Sequence, residues 1–167
     1  MQDSRDGKSS IEPIDLADVV SGEVQTIVRA WRKWRGFRAL PAREDASLHD
    51  LGRTLANISL LEVLDGGQDY AFRVIGDAHR QAYQSDYTGR HMRDVIAVAP
   101  RFGRLLKASC DLVRTTARAY AFRGFVGRDA PDAEFSRFET CYLPLGPSRA
   151  DVTHIMNAAA YTMRSQL

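Results

Sequence analysis

The residues with the clearest chemical potential in this sequence are its four histidines, because an imidazole can transfer protons or bind a metal near neutral pH. They are scattered along the chain as His49, His79, His91 and His154. Asp77 lies two residues before His79, and an Asp–His pair in a cavity could perform proton transfer. The segment begins a predicted helix, where residues two apart point in different directions. This pair is nevertheless the one candidate for catalysis.

Motifs of known enzyme classes are absent from the sequence. It has no GxSxG, no HExxH, no Walker loop and no GxGxxG after a predicted strand. His79 and His91 flank the expected mouth of a cavity, and one histidine can hold haem iron. A lone histidine is more often a surface or core residue, so the sequence requires no cofactor and predicts no metal site. We expect a protein that is not an enzyme, with a small α+β enzyme using Asp77 and His79 as the alternative.

Composition indicates one globular domain. The 167 residues are 44% hydrophobic and 26% charged, values typical of a chain that buries a core without disulfides or metals. The formal net charge of +2 is low for a nucleic-acid binder, so no nucleic-acid partner is expected. No apolar run approaches the roughly 18 residues of a membrane span, and "MQDSRDGKSSIEP" lacks the apolar core of a secretory signal. A cytoplasmic location is the expectation.

The N-terminal part divides into two segments. Residues 1–13 are polar and are expected to be disordered, and residues 14–46 are expected to form a helix and a loop. An apolar stripe at helical spacing makes this helix amphipathic, with Gly36 as its stop. The stripe either docks on the rest of the domain or provides the surface of a homodimer. Its members are Val24, Ile27, Val28, Trp31 and Trp34.

Residues 47–167 are expected to form the main domain. Two strand-like runs, 58–64 and 70–76, are joined by the turn sequence "DGGQD", and a long helix is predicted over 99–117. Three further strands are expected at 119–127, 135–145 and 151–162. Hairpins on both sides of a helical middle predict an α+β fold, with a five-stranded antiparallel sheet and helices on one face.

Five short motifs follow one another in a recognisable order. They are Trp34-Arg35-Gly36, Pro41-Ala42-Arg43, Phe72-Arg73-Val74-Ile75-Gly76, Asp86-Tyr87-Thr88-Gly89-Arg90 and "FETCYLPL" from Phe138 to Leu145. With them the sequence resembles the compact single-domain PAS family of bacterial cytoplasmic proteins, formerly a domain of unknown function. The resemblance implies a sensory or protein-interaction module in signal transduction. Such a module would act through a homodimer or a signalling partner, and an uncharacterised adaptor protein is the other alternative.

Several motif residues have a structural reason to be where they are. Gly76 and Gly89 stand where a Cβ could be unwelcome, and Pro144 should end a strand or lie on an edge. Arg73 lies within an apolar strand and needs a partner if it is buried, for which Glu139 is the expected carboxylate. The full set of motif residues is Trp34, Gly36, Pro41, Arg43, Arg73, Gly76, Gly89, Arg90, Glu139 and Pro144.

A small-molecule cavity between the sheet and the helices is the candidate binding site. Many rings with a few polar groups are typical of specific pockets. The same rings could instead fill the core and leave no cavity. Both interpretations stay open at this point. The expected lining consists of Phe72, Val74, Tyr83, Tyr87, Phe102, Leu106, Ser109, Tyr120, Phe122, Phe138, Thr140, Tyr142 and Asn157.

Overall fold

The sheet of this protein has six antiparallel strands. A computed structural model describes residues 7–130 and 133–164. Its strands are β1 (Ser10–Ile14), β2 (Ile58–Leu64), β3 (Asp69–Ile75), β4 (Tyr120–Phe125), β5 (Phe135–Leu145) and β6 (His154–Met163). They lie side by side in the order β1-β4-β5-β6-β2-β3. The α+β class and the antiparallel sheet are confirmed, and the prediction of five strands is wrong by one.

The additional strand is β1, which pairs with β4 from Ser10 opposite Phe125 to Ile14 opposite Ala121. The prediction of a disordered N-terminus is therefore wrong for residues 10–13, whereas residues 1–6 lie outside the described residues. The strand is almost fully exposed, so its sequence has no alternation of apolar and polar residues that would reveal it. Pro13 is tolerated because β1 lies on an edge of the sheet.

Four α-helices and several 3₁₀ segments surround the sheet. The α-helices are α1 (Gly22–Arg35), α2 (Asp77–Tyr83), α3 (Met92–Val98) and α4 (Pro100–Thr116). The 3₁₀ segments are Leu16–Asp18, Arg43–Asp45, Leu48–Asn57 and Asp65–Gly67. Among the described residues no helix is both long and apolar enough to cross a membrane.

The helix α1 ends where the sequence predicts, and Ser21 caps its start. The Ser21 hydroxyl accepts a hydrogen bond from the Val24 backbone N–H at 3.3 Å, which caps the first turn. Gly36 ends the helix with a φ of +57°, a conformation that residues with a Cβ adopt at a cost.

The sheet has two faces with different coverings. Tyr142 pairs with Asn157, and in the next row Leu143 pairs with Met156. Because side chains alternate along a strand, these two rows point to opposite sides. We call the side of Tyr142 and Asn157 the front face, which α2, α3 and α4 cover, and the side of Leu143 and Met156 the back face, which α1 covers.

The part of the back face that α1 covers is an apolar core. The whole stripe of α1, from Val24 to Trp34, is at most 8% exposed, and it packs towards β5 and β6. The Trp31 indole N–H donates a hydrogen bond of 2.9 Å to the Pro144 carbonyl. The assignment of Val24, Ile27, Val28, Trp31 and Trp34 to a dimer surface is therefore wrong. The alternative, docking on the domain, is correct, because the sheet offers this stripe a matching apolar face.

The expected pair between Arg73 and Glu139 does not form. Arg73 instead pairs with Glu62 on the neighbouring strand β2, and both side chains are partly exposed. The Glu139 carboxylate is nearly buried and accepts hydrogen bonds from Arg123 at 2.9 Å and from the Ser21 backbone N–H at 2.7 Å. The prediction failed because the strand order places β3 and β5 three positions apart.

Glu139 also accepts a hydrogen bond of 2.9 Å from the Val20 backbone N–H. It thus ties the start of α1 to the centre of the sheet and to β4 through Arg123. A carboxylate at this position is favourable because the first backbone N–H groups of a helix carry partial positive charge.

The remaining motif residues have structural roles. A Cβ on Gly76 would lie 2.2 Å from the Ala56 carbonyl oxygen, and Gly89 has a φ of +79°. Pro144 lies one residue before the end of β5, beyond the last residue of β5 that pairs with β4, as expected. The others are hydrogen-bonded within the fold: Trp34 to Asp50, the Pro41 carbonyl to Gly146, Arg43 to the Ala46 carbonyl and the Arg90 carbonyl to Phe72.

Candidate ligand-binding cavity

A cavity of about 520 Å³ lies between the front face and the helices α2 and α4. Its volume is within the range of about 300 to 1,000 Å³ that ligand pockets span. The lining includes Ile11, Arg101 and Leu105, all of which are exposed, so the cavity reaches solvent at this rim. The interpretation that the aromatic side chains fill the core completely is therefore wrong.

Most of the predicted lining residues meet at this cavity. They come from three strands, two helices and the segment between α2 and α3, so the contacts are long-range. The predicted residues that line the cavity are Phe72, Tyr83, Tyr87, Phe102, Leu106, Ser109, Phe138, Thr140, Tyr142 and Asn157. The three that do not line it are Val74, Tyr120 and Phe122.

A β-bulge turns the Val74 side chain away from the cavity. Leu60 of β2 pairs with Val74, but the next residue, Leu61, pairs with Phe72, so Arg73 is the extra residue in β3. The bulge breaks the alternation on which the prediction was based. As a result Phe72 and Ile75 line the cavity, and Val74 is only half-buried.

Tyr120 and Phe122 lie on β4, to the side of the cavity. They pair with Tyr142 and Thr140 and so share the front face, as the alternation predicts. The Phe122 ring meets the Tyr142 ring edge-to-face at 6.2 Å. Both side chains are partly buried and pack against the core, so their apolar character has a structural explanation.

Several lining residues are absent from the predicted lining, notably Ile75, Phe135 and Tyr161, whereas His79, which was expected at the mouth, lines the cavity. Tyr161 could have been found, since it lies four residues after Asn157 and therefore on the same face of β6. Phe135 packs against Tyr161 at 4.9 Å between ring centroids. It lies beside the shift in the pairing of β5 with β6, which the sequence does not indicate.

Aromatic rings form much of the wall. Tyr83 stacks on Phe102 at 4.3 Å and meets Phe135 edge-to-face at 5.9 Å, and Phe135 meets Phe138 in the same way at 5.9 Å. A Cβ on Gly124 of β4 would lie 2.2 Å from the Phe138 ring, so a glycine is required beneath it. Such edge-to-face pairs fix the orientation of each ring and give a rigid apolar wall.

The structure separates Asp77 from His79. The Asp77 carboxylate faces solvent and pairs with Arg80 at 2.7 Å. His79 is buried, with its Nε2 3.1 Å from the Asn57 carbonyl oxygen and its Nδ1 3.0 Å from the Tyr161 hydroxyl. The proposed catalytic pair is therefore wrong, because a helical turn directs the two side chains to opposite environments.

Burial lowers the pKa of His79 to about 4, so its imidazole is neutral at pH 7. A neutral imidazole carries one N–H, and the Asn57 carbonyl can only accept, so Nε2 is the protonated nitrogen. Nδ1 then accepts the hydrogen bond, and the Tyr161 hydroxyl donates it. The Tyr83 hydroxyl lies 3.2 Å from that of Tyr161, whose oxygen is left to accept from it. The cavity wall thus contains a hydrogen-bonded chain from Tyr83 through Tyr161 and His79 to Asn57.

The two histidines considered for haem do not offer a free nitrogen to the cavity. Both ring nitrogens of His79 are hydrogen-bonded to protein groups. His91 lies outside the cavity lining, with its Nδ1 3.4 Å from the Asp69 carboxylate. Within the described ranges there is also no group of three or more side chains placed to hold a metal ion.

The interior of the cavity is polar at a few points and uncharged. The Asn157 amide donates to the Thr140 hydroxyl at 2.6 Å and to the Cys141 carbonyl at 3.1 Å. Arg101 is the one lining residue of the described chain that carries charge at pH 7, and it lies at the exposed rim. The arrangement can hold a neutral molecule against aromatic walls. Among the lining residues the Tyr161 hydroxyl is hydrogen-bonded to the His79 imidazole, and burial raises the pKa of this hydroxyl well above its usual value, which opposes its ionisation.

No family model, curated protein or solved structure matches the chain. The resemblance to the PAS family therefore remains a prediction based on the five motifs.

Proposed function

We propose that this protein is a cytoplasmic PAS-type sensory or protein-interaction module that binds a small molecule in the cavity and acts through a partner or a homodimer. The order of elements supports the proposal, since two strands precede the helices α2 to α4 and three strands follow. The first and last strands of this block, β2 and β6, pair at the centre of the sheet. The chain thus has the antiparallel sheet that the resemblance implies, with β1 and α1 added.

The observation that carries the proposal is the cavity itself. A core that serves only stability is packed without large voids, because each void forfeits contacts. Here a volume of about 520 Å³ is lined by rigid rings and by polar side chains held in place by protein hydrogen bonds. Apolar walls with a few oriented polar groups are what small-molecule binding requires.

The segment between α2 and α3 connects the cavity wall to the protein surface, so a structural change at the cavity would reach the surface through it. Gly89 donates to the Phe72 carbonyl at 2.8 Å and Phe72 donates to the Arg90 carbonyl at 2.9 Å, which fastens the segment to the edge strand β3. The Tyr87 ring contacts the Phe72 ring at 6.1 Å, and both line the cavity. A bound molecule that favours one position of Tyr87 would shift the population of this segment and present a different edge to a partner.

The proposal is tested by filling the cavity. Leu106 of α4 lines it and is 7% exposed, whereas Leu112 on the same helix is 37% exposed and lies outside it. Leu106→Trp should place an indole in the cavity and weaken binding of the neutral fluorescent probe Nile red by about tenfold or more, since most of the space is taken. Leu112→Trp adds the same ring elsewhere and is the matched control.

Native mass spectrometry of the protein purified from its own host provides the second measurement. We expect a retained small molecule in the wild-type protein and in Leu112→Trp, and its loss in Leu106→Trp. The same spectra give the oligomeric state. Equal Nile red affinity in all three proteins would contradict binding in this cavity.

A further inference from the structure

Four polar side chains of the cavity share one property, which is that their hydrogens are already used inside the protein: Asn157, Thr140, Ser109 and Tyr83. The Asn157 amide is the clearest case. Both of its N–H groups donate, one to Thr140 and one to the Cys141 carbonyl, and because that carbonyl can only accept, the orientation of the amide is fixed. The carbonyl Oδ1 of Asn157 is left as an acceptor on a side chain that is 95% buried and lines the cavity.

The hydroxyl hydrogens of Thr140 and Ser109 are likewise used in hydrogen bonds within the protein. Thr140 donates its hydrogen to the Ala158 carbonyl at 3.1 Å. Ser109 donates to the Leu105 carbonyl of its own helix at 3.1 Å. The Tyr142 hydroxyl interacts with both oxygens and can donate its one hydrogen to only one of them, so the other oxygen is left as an acceptor towards the cavity.

The hydrogen of Tyr83 is also used inside the protein, in the hydrogen-bonded series from Tyr83 through Tyr161 to His79. Since His79 Nδ1 takes the hydrogen of Tyr161, the oxygen of Tyr161 takes the hydrogen of Tyr83. The Tyr83 oxygen keeps a lone pair and has no hydrogen left to donate. The remaining hydroxyls of the lining can rotate to donate or to accept, so they adapt to an occupant and do not select it; they belong to Ser10, Ser59, Ser85, Tyr87 and Tyr142.

We infer that the cavity selects neutral ring compounds that carry a hydrogen-bond donor, such as a phenol, an indole or an alcohol on an apolar frame. The inference rests on the proposed function and names its ligand class. A donor would satisfy Asn157 Oδ1, whereas an acceptor would face lone pairs and leave that oxygen unpaired, which is costly in a buried site. An anion would meet lone pairs in the interior and a single arginine, Arg101, at the rim.

The test compares three molecules of the same shape. Indole carries an N–H, indene carries a CH₂ at the same place and benzofuran carries an oxygen, so only the donor property changes. Titration of the ¹⁵N-labelled protein, followed by amide chemical shifts, should give an indole affinity about tenfold higher than the other two, since a buried unpaired acceptor costs about 1–3 kcal/mol.

Variants locate the acceptor groups. Tyr83→Phe keeps the ring and removes its oxygen, and Asn157→Leu keeps the approximate volume and removes Oδ1. Each should lower the affinity for indole at least threefold and leave the affinity for indene unchanged. Tyr120→Phe removes a hydroxyl outside the cavity and should change neither affinity. Chemical shifts far from the cavity report whether Asn157→Leu is folded, and Tyr83→Phe carries the test if it is not.

The outcomes separate the two claims. Equal affinities for indole, indene and benzofuran would overturn the donor inference while leaving the cavity as a binding site. Tighter binding of benzofuran would overturn it as well. If none of the three binds and Nile red does not respond to Leu106→Trp, the proposed function fails and the inference fails with it.

Discussion

The two faces of the sheet use the same strands in opposite ways. On the back face, α1 lies directly on β5 and β6 and buries Val24, Ile27 and Trp31 to within 5% of complete burial. On the front face, α2 and α4 stand off far enough to leave a cavity of about 520 Å³. Because the part of the back face under α1 supplies a buried apolar core and Glu139 anchors α1, the front face can contain a cavity without unfolding the domain. The buried core under α1 and the cavity thus lie on different sides of one layer, and a separate polar pocket of about 710 Å³ lies on the back face beside the start of α1, around Arg123 and Glu139.

Two features keep the front face from collapsing. Edge-to-face contacts such as Tyr83 with Phe135 fix the rings at 86° to one another, so they cannot stack flat and fill the space. The polar side chains are also tied to the backbone of β5, β6 and α4, as the hydrogen bond from Thr140 to the Ala158 carbonyl illustrates. Relaxation into the cavity would break these bonds.

The largest effect is expected from truncating the back face. Trp31→Ala removes a buried ring and its hydrogen bond to the Pro144 carbonyl, and it should lower the free energy of unfolding by about 3–5 kcal/mol. Urea denaturation followed by circular dichroism measures this change. Phe37→Ala, at a fully exposed position, should stay within about 0.5 kcal/mol of the wild type. A loss below about 1 kcal/mol for Trp31→Ala would show that the back face is not the stabilising side.

The next effect concerns pH and the front face. His79 has a pKa of about 4 in the folded protein against its ordinary value of 6.5, so between these values the unfolded chain binds a proton that the folded chain excludes. His79 therefore destabilises the fold progressively as the pH falls from about 6.5 to 4, by roughly 3 kcal/mol in total. His79→Gln can keep both hydrogen bonds without titrating. The difference in unfolding free energy between wild type and variant should change over this pH range and be constant above pH 7; no change would contradict the buried neutral imidazole.

The smallest effect sharpens the contrast between the faces. Ala158 on the back face and Ala82 beside the cavity are both buried alanines, at 0% and 3% exposure. Ala158→Leu should cost about 1–3 kcal/mol because the packed side has no room for three more carbons. Ala82→Leu should change stability by less than about 0.5 kcal/mol, since the added atoms enter the cavity. Equal losses in urea denaturation would mean that the two faces are packed alike.

Local patterns predicted the helix α1, the five strands β2 to β6 and most of the cavity lining. The helical spacing of Val24 to Trp34 identified a buried face, and alternation along β5 and β6 placed Thr140, Tyr142 and Asn157 together. These signals are reliable where one side of an element is buried, because burial is what creates the pattern. The exposed strand β1 creates none, and it was missed.

The errors came from partners that lie far apart in sequence. Arg73 was predicted to pair with Glu139 because both looked buried. The strand order instead places Arg73 beside Glu62 and Glu139 beside Arg123, and these pairs form the ion pairs. The bulge that turns Val74 away depends on how β2 and β3 are aligned, which single residues do not reveal. The α1 stripe has the same composition whether it covers its own sheet or a second copy, so sequence could not decide between docking and dimerisation.

The most direct test of the contrast between the faces is a crystal structure determined under xenon pressure. Xenon enters apolar cavities that are large enough to hold it and leaves close-packed cores unoccupied. We expect xenon among Phe102, Leu106 and Phe138 on the front face, and none between α1 and the back face. Side chains filling the space between α4 and the sheet, with no xenon bound there, would contradict the account.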